Sequence, residues 1–315
     1  MIRPFFSIFS PSGAKAKLSV LIFHRVLPSP DPLFPSEMTA KQFDLVCGWM
    51  KSWFNVLPLD QAVEKLRNGN LPSRAACITF DDGYADNLTV AVPILKQHGL
   101  TATFFIATGY LDGGRMWNDT ISEAIRHTSA PTLDISNAGR GAYPLVTLEQ
   151  KRMAIVRIID QVKYLPVRER SEVANDVAVR LHTRLPSDLM MTSAQVKALR
   201  NEGMQIGAHT QTHPILAKLD EAMARSEIGQ SKQILENLLG ERVGLFAYPN
   251  GKPGKDYSPE SVDIVKQLGF VAAVSTAWGT NSQGDDLFQM RRFTPWDTTK
   301  NKFGLRLLRN MAFSS

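Results

Sequence analysis

The sequence predicts an alternating α/β protein with a parallel sheet. Four times along the chain, a helix-like segment ends in glycine and an apolar, strand-like run follows at once. The four junctions are PILKQHG–LTATFFIA, QVKALRNEG–MQIGAH, KQILENLLG–ERVGLFAY and DIVKQLG–FVAAVS. Glycine after a helix end permits the left-handed conformation that stops the helix, and a short connection then leads into a buried strand. Repeated units of this kind are typical of parallel sheets covered by helices.

The other predicted elements complete this pattern. Strands at 18–23 (LSVLIF) and 76–80 (ACITF) precede the four junctions, with helical patterns between them. The region from about 112 to 192 instead begins with a loop and continues as helices with almost no strand signal. We therefore expect an N-terminal extension at 1–17 and one domain at 18–315, in which residues 112–192 form a helical insertion. The insertion either covers a cleft, rests on a partner or forms a solvated cap.

Length and composition exclude several classes of protein. The 315 residues are 43% hydrophobic and 21% charged, which is typical of a globular chain and not of a disordered or fibrous one. No apolar run reaches the roughly 18 residues of a membrane-spanning helix, and the opening segment lacks the apolar core of a secretory signal. We therefore expect a cytoplasmic protein. Four apolar residues near the start either fray or touch a membrane surface: Phe5, Phe6, Ile8 and Phe9.

Charge and cysteine content narrow the possible partners. The net charge of +6 favours anionic partners. The basic residues are scattered and no nucleic-acid-binding motif is present, so we expect no nucleic-acid partner. Cys47 and Cys77 fit no disulfide framework or metal motif, and each is expected to be a small buried hydrophobic residue.

Two adjacent acids, Asp81 and Asp82, directly follow the apolar run Ala76-Cys77-Ile78 in the motif TFDDG. Like charges at a strand end raise each other's pKa unless a cation lies between them. A bound metal would engage one carboxylate and leave the other as a base. The alternative is an ordinary turn or helix cap, for which Asp-Asp-Gly is well suited.

A second cluster, His209-Thr210-Gln211-Thr212-His213-Pro214, directly follows the strand Met204–Ala208. Imidazoles are the usual ligands of zinc, and Pro214 favours a loop over a helix at His213. Both clusters lie at the carboxyl ends of predicted parallel strands, where α/β barrels place their active sites. Asp82, His209 and His213 would supply three ligands and leave one position open, as in catalytic zinc sites.

The paired motifs TFDDG and HTxxHP resemble those of the polysaccharide deacetylase family, also called the NodB-homology or carbohydrate esterase family 4 group. The resemblance extends in motif order from about residue 18 to about 297. It implies a distorted (β/α)7 TIM-like barrel with the helical insertion at 112–192, and a divalent metal, usually zinc. It also implies hydrolysis of N-acetyl groups on a carbohydrate. Asp81 would be the general base, and Asp82, His209 and His213 the metal ligands. Thr210 would brace the histidine loop, or serve as a plain turn residue.

The sequence departs from the family pattern in two ways. Ala247 stands in Phe246–Gly251 where the family carries an arginine that holds the catalytic aspartate. Either Arg291 or Arg292 supplies this charge, or both lie on the surface; Arg292 is also a candidate for substrate contact. In the same segment, the Asn250 backbone N–H, with Tyr248 beside it, would support the oxyanion.

The second departure concerns the general acid, since no histidine follows His213. An amide needs a proton for its leaving amine. His24 ends the first strand and resembles the acid of exopolysaccharide deacetylases with a permuted motif order; the alternative is a core or capping histidine.

Weaker candidates complete the predicted site. Trp117 and Asp119 would contact the sugar, or be a buried tryptophan and an N-cap aspartate. Trp278 and Trp296 have the same two interpretations. His98, His127 and His182 are expected to be structural or solvated. The sequence thus predicts a metal-dependent carbohydrate N-deacetylase. Its alternatives are an amidohydrolase or O-acetyl esterase with another substrate, or an inactive glycan-binding member of the fold.

Overall fold

Seven parallel strands form a nearly closed barrel. The computed structural model describes residues 2–135 and 141–313. The barrel strands are β1 (Ser19–Phe23), β3 (Ala75–Phe80), β4 (Thr103–Ile106), β7 (Gln205–Ala208), β8 (Leu245–Ala247), β9 (Ala272–Trp278) and β10 (Met290–Arg292). Each strand pairs in parallel with the next in that order, and a short strand β2 (Asn55–Val56) pairs with β3. The predicted (β/α)7 barrel is therefore confirmed.

The barrel closes between β10 and β1 through the main chain of Phe293. Its N–H donates to the Val20 carbonyl at 2.7 Å, and its carbonyl accepts from the Ile22 N–H at 3.1 Å. Successive side chains of a strand point to opposite faces. One set, including Cys77, Phe105 and Met290, fills the barrel interior, and the alternate set packs under the outer helices.

Helices cover the outside of the barrel. They are α2 (Ala40–Trp53), α3 (Leu59–Arg67), α4 (Val92–Gln97), α8 (Ser193–Asn201), α9 (Glu221–Leu239) and α10 (Pro259–Gln267). The four glycines predicted to stop helices all have positive φ angles, between 65° and 81°: Gly99, Gly203, Gly240 and Gly269. Cys47 and Cys77 are buried and unpaired, as expected.

The two ends of the chain pack together as helices α1 (Arg3–Phe9) and α11 (Lys300–Ala312). Phe6 is buried against the rings of Trp53 and Phe54. The expectation of a frayed start is therefore wrong, and Phe6 is not available to a membrane. Phe5, Ile8 and Phe9 remain exposed. Within the described ranges, none of the helices combines the length and apolar character needed to cross a bilayer.

The insertion forms a small layer with its own apolar cluster. It contains α5 (Trp117–His127), β5 (Thr132–Asp134), β6 (Ala142–Pro144), α6 (Leu148–Val162) and α7 (Val167–Arg180). The antiparallel pair β5–β6 departs from the purely helical expectation. Each of these strands has three residues and buries one of them, Leu133 or Tyr143. So short an alternation cannot be recognised in the sequence.

Candidate metal centre and active site

Three side chains from two loops converge at the carboxyl end of the barrel. Asp82 follows β3, and His209 and His213 follow β7. One ligand atom from each of the three lies within 4.8 Å of the other two. The Nε2 atoms of His209 and His213 are 3.4 Å and 3.5 Å from Asp82 Oδ1. The sequence-predicted ligand set is thus brought together in space.

The chemistry of this donor set fits a divalent cation. Asp82 Oδ1 is buried and has no hydrogen-bond partner among the described atoms, which is costly for a carboxylate oxygen unless a cation satisfies it. His209 Nδ1 lies 2.7 Å from the Ala247 carbonyl. Since a carbonyl only accepts, Nδ1 carries a proton, and Nε2, which faces Asp82, is the ring atom left to bind a cation. Burial lowers the pKa of His213 to about 3, which keeps this ring neutral as a ligand must be.

Unusual backbone conformations coincide with the site. Asp82, Thr210, His213 and Asn250 have φ angles of 78°, 62°, 51° and 57°. Left-handed backbone at non-glycine residues costs of order 1–3 kcal/mol each and persists only when the surroundings enforce it. The Thr210 hydroxyl helps to hold the conformation of His213 by accepting a hydrogen bond from its N–H at 3.1 Å. This is the hydrogen bond by which Thr210 would brace the loop.

Asp81 is held by a buried arginine, Arg292, at the end of β10, the strand that closes the barrel against β1. Arg292 donates from Nη1 to Oδ1 and from Nη2 to Oδ2, both at 2.7 Å, and from Nε to the Ser275 carbonyl. It is 1% exposed, so the expectation of a surface arginine is wrong for this residue. Burial alone would raise the pKa of Asp81, but the Arg292 charge holds it below its usual value. The carboxylate is therefore ionised at neutral pH and able to accept a proton.

Strand alternation explains how these two residues meet. Cys77 and Met290 face the barrel interior. Asp81 follows Cys77 by four residues at the end of β3, and Arg292 follows Met290 by two residues in β10, so each pair shares one face of its strand. Both side chains therefore point into the carboxyl mouth of the barrel. Ala247 also faces the interior, so the arginine expected at that position is replaced by one from β10. In the sequence Arg292 alternates with Met290, but only the closed barrel shows that this face of β10 points inward.

The model for the family described as polysaccharide deacetylase matches residues 68–273. The chain belongs to the polysaccharide deacetylase family. It is 22% identical over 279 residues to YxkH of Bacillus subtilis, which is named as a candidate polysaccharide deacetylase; the match covers 88% of this chain and 71% of YxkH.

Solved structures of deacetylases share the fold. Streptococcus pyogenes PplD, solved in complex with acetate, superposes with a TM-score of 0.62 at 20% identity, covering 94% of this chain and 98% of PplD. IcaB from Ammonifex degensii gives a TM-score of 0.62 at 18% identity, covering 96% and 98%. These likenesses support the barrel architecture of this deacetylase family member.

His24 lies at the same mouth. The Asp81 N–H donates to the Phe23 carbonyl at 2.9 Å, which places the exposed His24 beside Asp81. The charge of His24 also contributes, after larger effects of burial and closer partners, to lowering the pKa of both Asp81 and Asp82. Asn250 follows β8 at this mouth, and its carbonyl accepts from the Thr276 hydroxyl at 2.7 Å.

Tyr248 does not face the mouth. Its side chain points outward from the barrel. Its ring stacks on Tyr257 with centroids 3.8 Å apart, and its hydroxyl donates to the Phe288 carbonyl. It can support the adjacent Asn250 loop only by packing.

Trp117 and Asp119 are both buried in the first turn of α5 and not in a loop. Asp119 is the third helical residue, so it is not an N-cap; it accepts from the Tyr84 hydroxyl at 3.2 Å. Burial, reinforced by the nearby Asp82 charge, raises the pKa of Asp119 to about 7. Neither side chain offers an open surface to a sugar, whereas Trp278 and Trp296 are exposed.

The remaining histidines lie in helices or at their ends, away from the metal ligands. His98 pairs with Asp44, and His127 with Glu123. His182 is exposed just after α7. Two residues that no motif marked, Arg170 and Glu227, contact the main chain of the histidine loop. Contacts with main chain leave no sequence pattern by which they could be found.

We expect Arg292→Met to shift the acid limb of the kcat/KM profile to higher pH. Asp81 must be ionised to accept a proton, and loss of the guanidinium raises its pKa, so activity is lost earlier as pH falls. The unpaired buried carboxylate should also cost about 3–5 kcal/mol of unfolding free energy near neutral pH. Acetate release across pH and urea unfolding measure both effects. Arg291→Met, at the part-buried neighbour, is the control; an acid limb that moves equally in both variants contradicts the assignment.

Proposed function

We propose that this protein is a metal-dependent hydrolase that removes N-acetyl groups from a carbohydrate. The observation that carries the proposal is the ionised Asp81, fixed by Arg292, beside the cluster of Asp82, His209 and His213. A base next to a cation site with an open position is an arrangement by which metal-dependent hydrolases cleave amides. Membership of the polysaccharide deacetylase family supports a carbohydrate substrate.

In the proposed reaction, Asp81 takes the proton of the attacking water. The Asn250 N–H donates to the oxygen that becomes negatively charged in the transition state. His24 then protonates the departing amine, which gives acetate and an amino sugar. A divalent cation held by Asp82, His209 and His213 would supply Lewis-acid stabilisation of that oxygen. Two imidazoles and one carboxylate make zinc our proposed metal.

The first test separates the base from the metal ligands. Asp81→Asn should lower acetate release from N-acetylated oligosaccharides by about 10²–10⁴-fold, because the base is lost, while the metal content stays unchanged. His209→Ala should lose the metal itself. His98→Ala, at a histidine that pairs with Asp44, is the control for both measurements. Metal analysis that finds equal occupancy in all three variants, together with undiminished activity, would refute the assignment.

The second test addresses the general acid and the alternative of ester hydrolysis. His24→Ala should slow amide cleavage by about 10²–10⁴-fold, but slow an activated aryl acetate far less, because a phenolate leaves without a proton. His127→Ala, at a histidine of the insertion, should behave as wild type. Equal losses on both substrates would remove His24 from the role of acid, and preferred turnover of sugar O-acetyl groups would favour the esterase.

We also propose that the exposed side of α1 contacts an anionic membrane surface. Phe5 and Ile8 are 52% and 70% exposed, and the net charge of +6 favours anionic lipids. Ile8→Ser should reduce cosedimentation with phosphatidylglycerol-containing vesicles severalfold, because it removes an apolar side chain from the contact. Val179→Ser, with 68% exposure on the insertion, should not. Equal binding by wild type and both variants would exclude this surface.

A further inference from the structure

The histidine loop, residues 209–213, is bonded to its surroundings at nearly every main-chain group. The Thr210 and Gln211 carbonyls accept from the N–H groups of Thr108 and Gly109, at 3.2 Å and 2.8 Å. The Tyr110 hydroxyl donates to the Thr212 carbonyl at 2.7 Å. The loop needs such support, since two of its residues have left-handed backbone.

A carboxylate from the barrel side takes the N–H groups of this loop. Glu227, on α9, accepts from the N–H of Gln211 at 2.9 Å and from the N–H of Thr212 at 2.8 Å. It also accepts the Thr212 hydroxyl at 2.6 Å. Charge-assisted hydrogen bonds of this kind are roughly twice as strong as neutral ones. One half-buried side chain thus orients two consecutive peptide groups between the metal ligands.

A guanidinium from the insertion takes the carbonyls at the end of the loop. Arg170, on α7, donates from Nη2 to the carbonyls of Thr212 and His213 at 3.2 Å and 3.3 Å. It is 2% exposed and lies over the Trp117 ring at 5.0 Å. Within residues 2–135 and 141–313, no carboxylate lies within ion-pair distance of it.

A buried arginine without an ion-pair partner is costly. Burial lowers the pKa of Arg170, and electrostatic interactions with Tyr110 and Glu227 oppose this. Such a residue is explained if its contacts do something that an apolar side chain could not. Its hydrogen-bond partners here are carbonyls, one of them belonging to the proposed metal ligand His213.

We propose that Glu227 and Arg170 form a clamp that holds the histidine loop in its ligating shape. The carboxylate fixes the N–H groups from one side, and the guanidinium fixes the carbonyls from the other. The insertion is therefore a positioning element of the metal centre, and it sets the affinity for the cation. This inference rests on the metal site of the proposed function.

The test measures the affinity of the purified full chain for Zn²⁺ by chelator competition, and records the absorption spectrum of the Co²⁺ form. Arg170→Met and Glu227→Gln should each weaken Zn²⁺ binding by about 10–100-fold, as loss of partners that orient ligands does. Arg170→Lys keeps a donor and should restore part of the loss. The double variant should lose less than the product of the single effects, because both residues act on one loop.

Matched controls lie on the same two helices. Arg168→Met removes an exposed arginine of α7 that pairs with Glu172. Glu236→Gln removes an α9 carboxylate that accepts the Val243 N–H. Both should bind Zn²⁺ like wild type. At saturating Zn²⁺ the clamp variants should recover kcat with KM unchanged, since neither residue is proposed to touch substrate.

Urea unfolding of the metal-free proteins checks that each variant is folded. If Arg170→Met fails to fold, Arg170→Lys and Glu227→Gln carry the test. Zn²⁺ affinities of folded clamp variants within twofold of wild type would overturn the clamp. Absence of Zn²⁺ binding by wild type would overturn both the metal site and the clamp. Normal wild-type binding without acetate release would instead count against the proposed reaction alone.

Discussion

The buried ion pair between Asp81 and Arg292 is the interaction on which the arrangement of the mouth depends. A carboxylate that is almost completely buried needs a cation to remain ionised, and β10 delivers one in Arg292. That strand reaches Asp81 because Phe293 closes the barrel against β1. Barrel closure and the charge state of the proposed base are therefore two aspects of one constraint.

The second constraint is the shape of the loops that carry the proposed metal ligands. Thr210 has a positive φ angle, which is an outlier for a β-branched residue, and Asp82 and His213 lie in the same uncommon region, so local preference works against the site. Hydrogen bonds from α7, α9 and the loop after β4 stabilise these backbone conformations against that preference. The strained residues thus mark the positions where the fold has been shaped by chemistry and not by stability.

Much of this fold could be predicted from the sequence, because glycine stops and buried strands are local signals. The two ligand motifs were also readable, since each lies directly after a strand. Arg292 required the facing of β10, which becomes certain only when the barrel closes. The β5–β6 pair was too short to show alternation. Arg170 and Glu227 contact peptide groups, which every residue type carries, so the sequence does not show which residues they bind.

Ala247 illustrates a further consequence of this architecture. Its carbonyl accepts from His209, so the position serves the metal ligand through the main chain whatever side chain it carries. In this chain the guanidinium that pairs with Asp81 comes from β10 and not from β8. An arginine placed at 247, with Arg292 kept, would crowd two permanent cations around one acid.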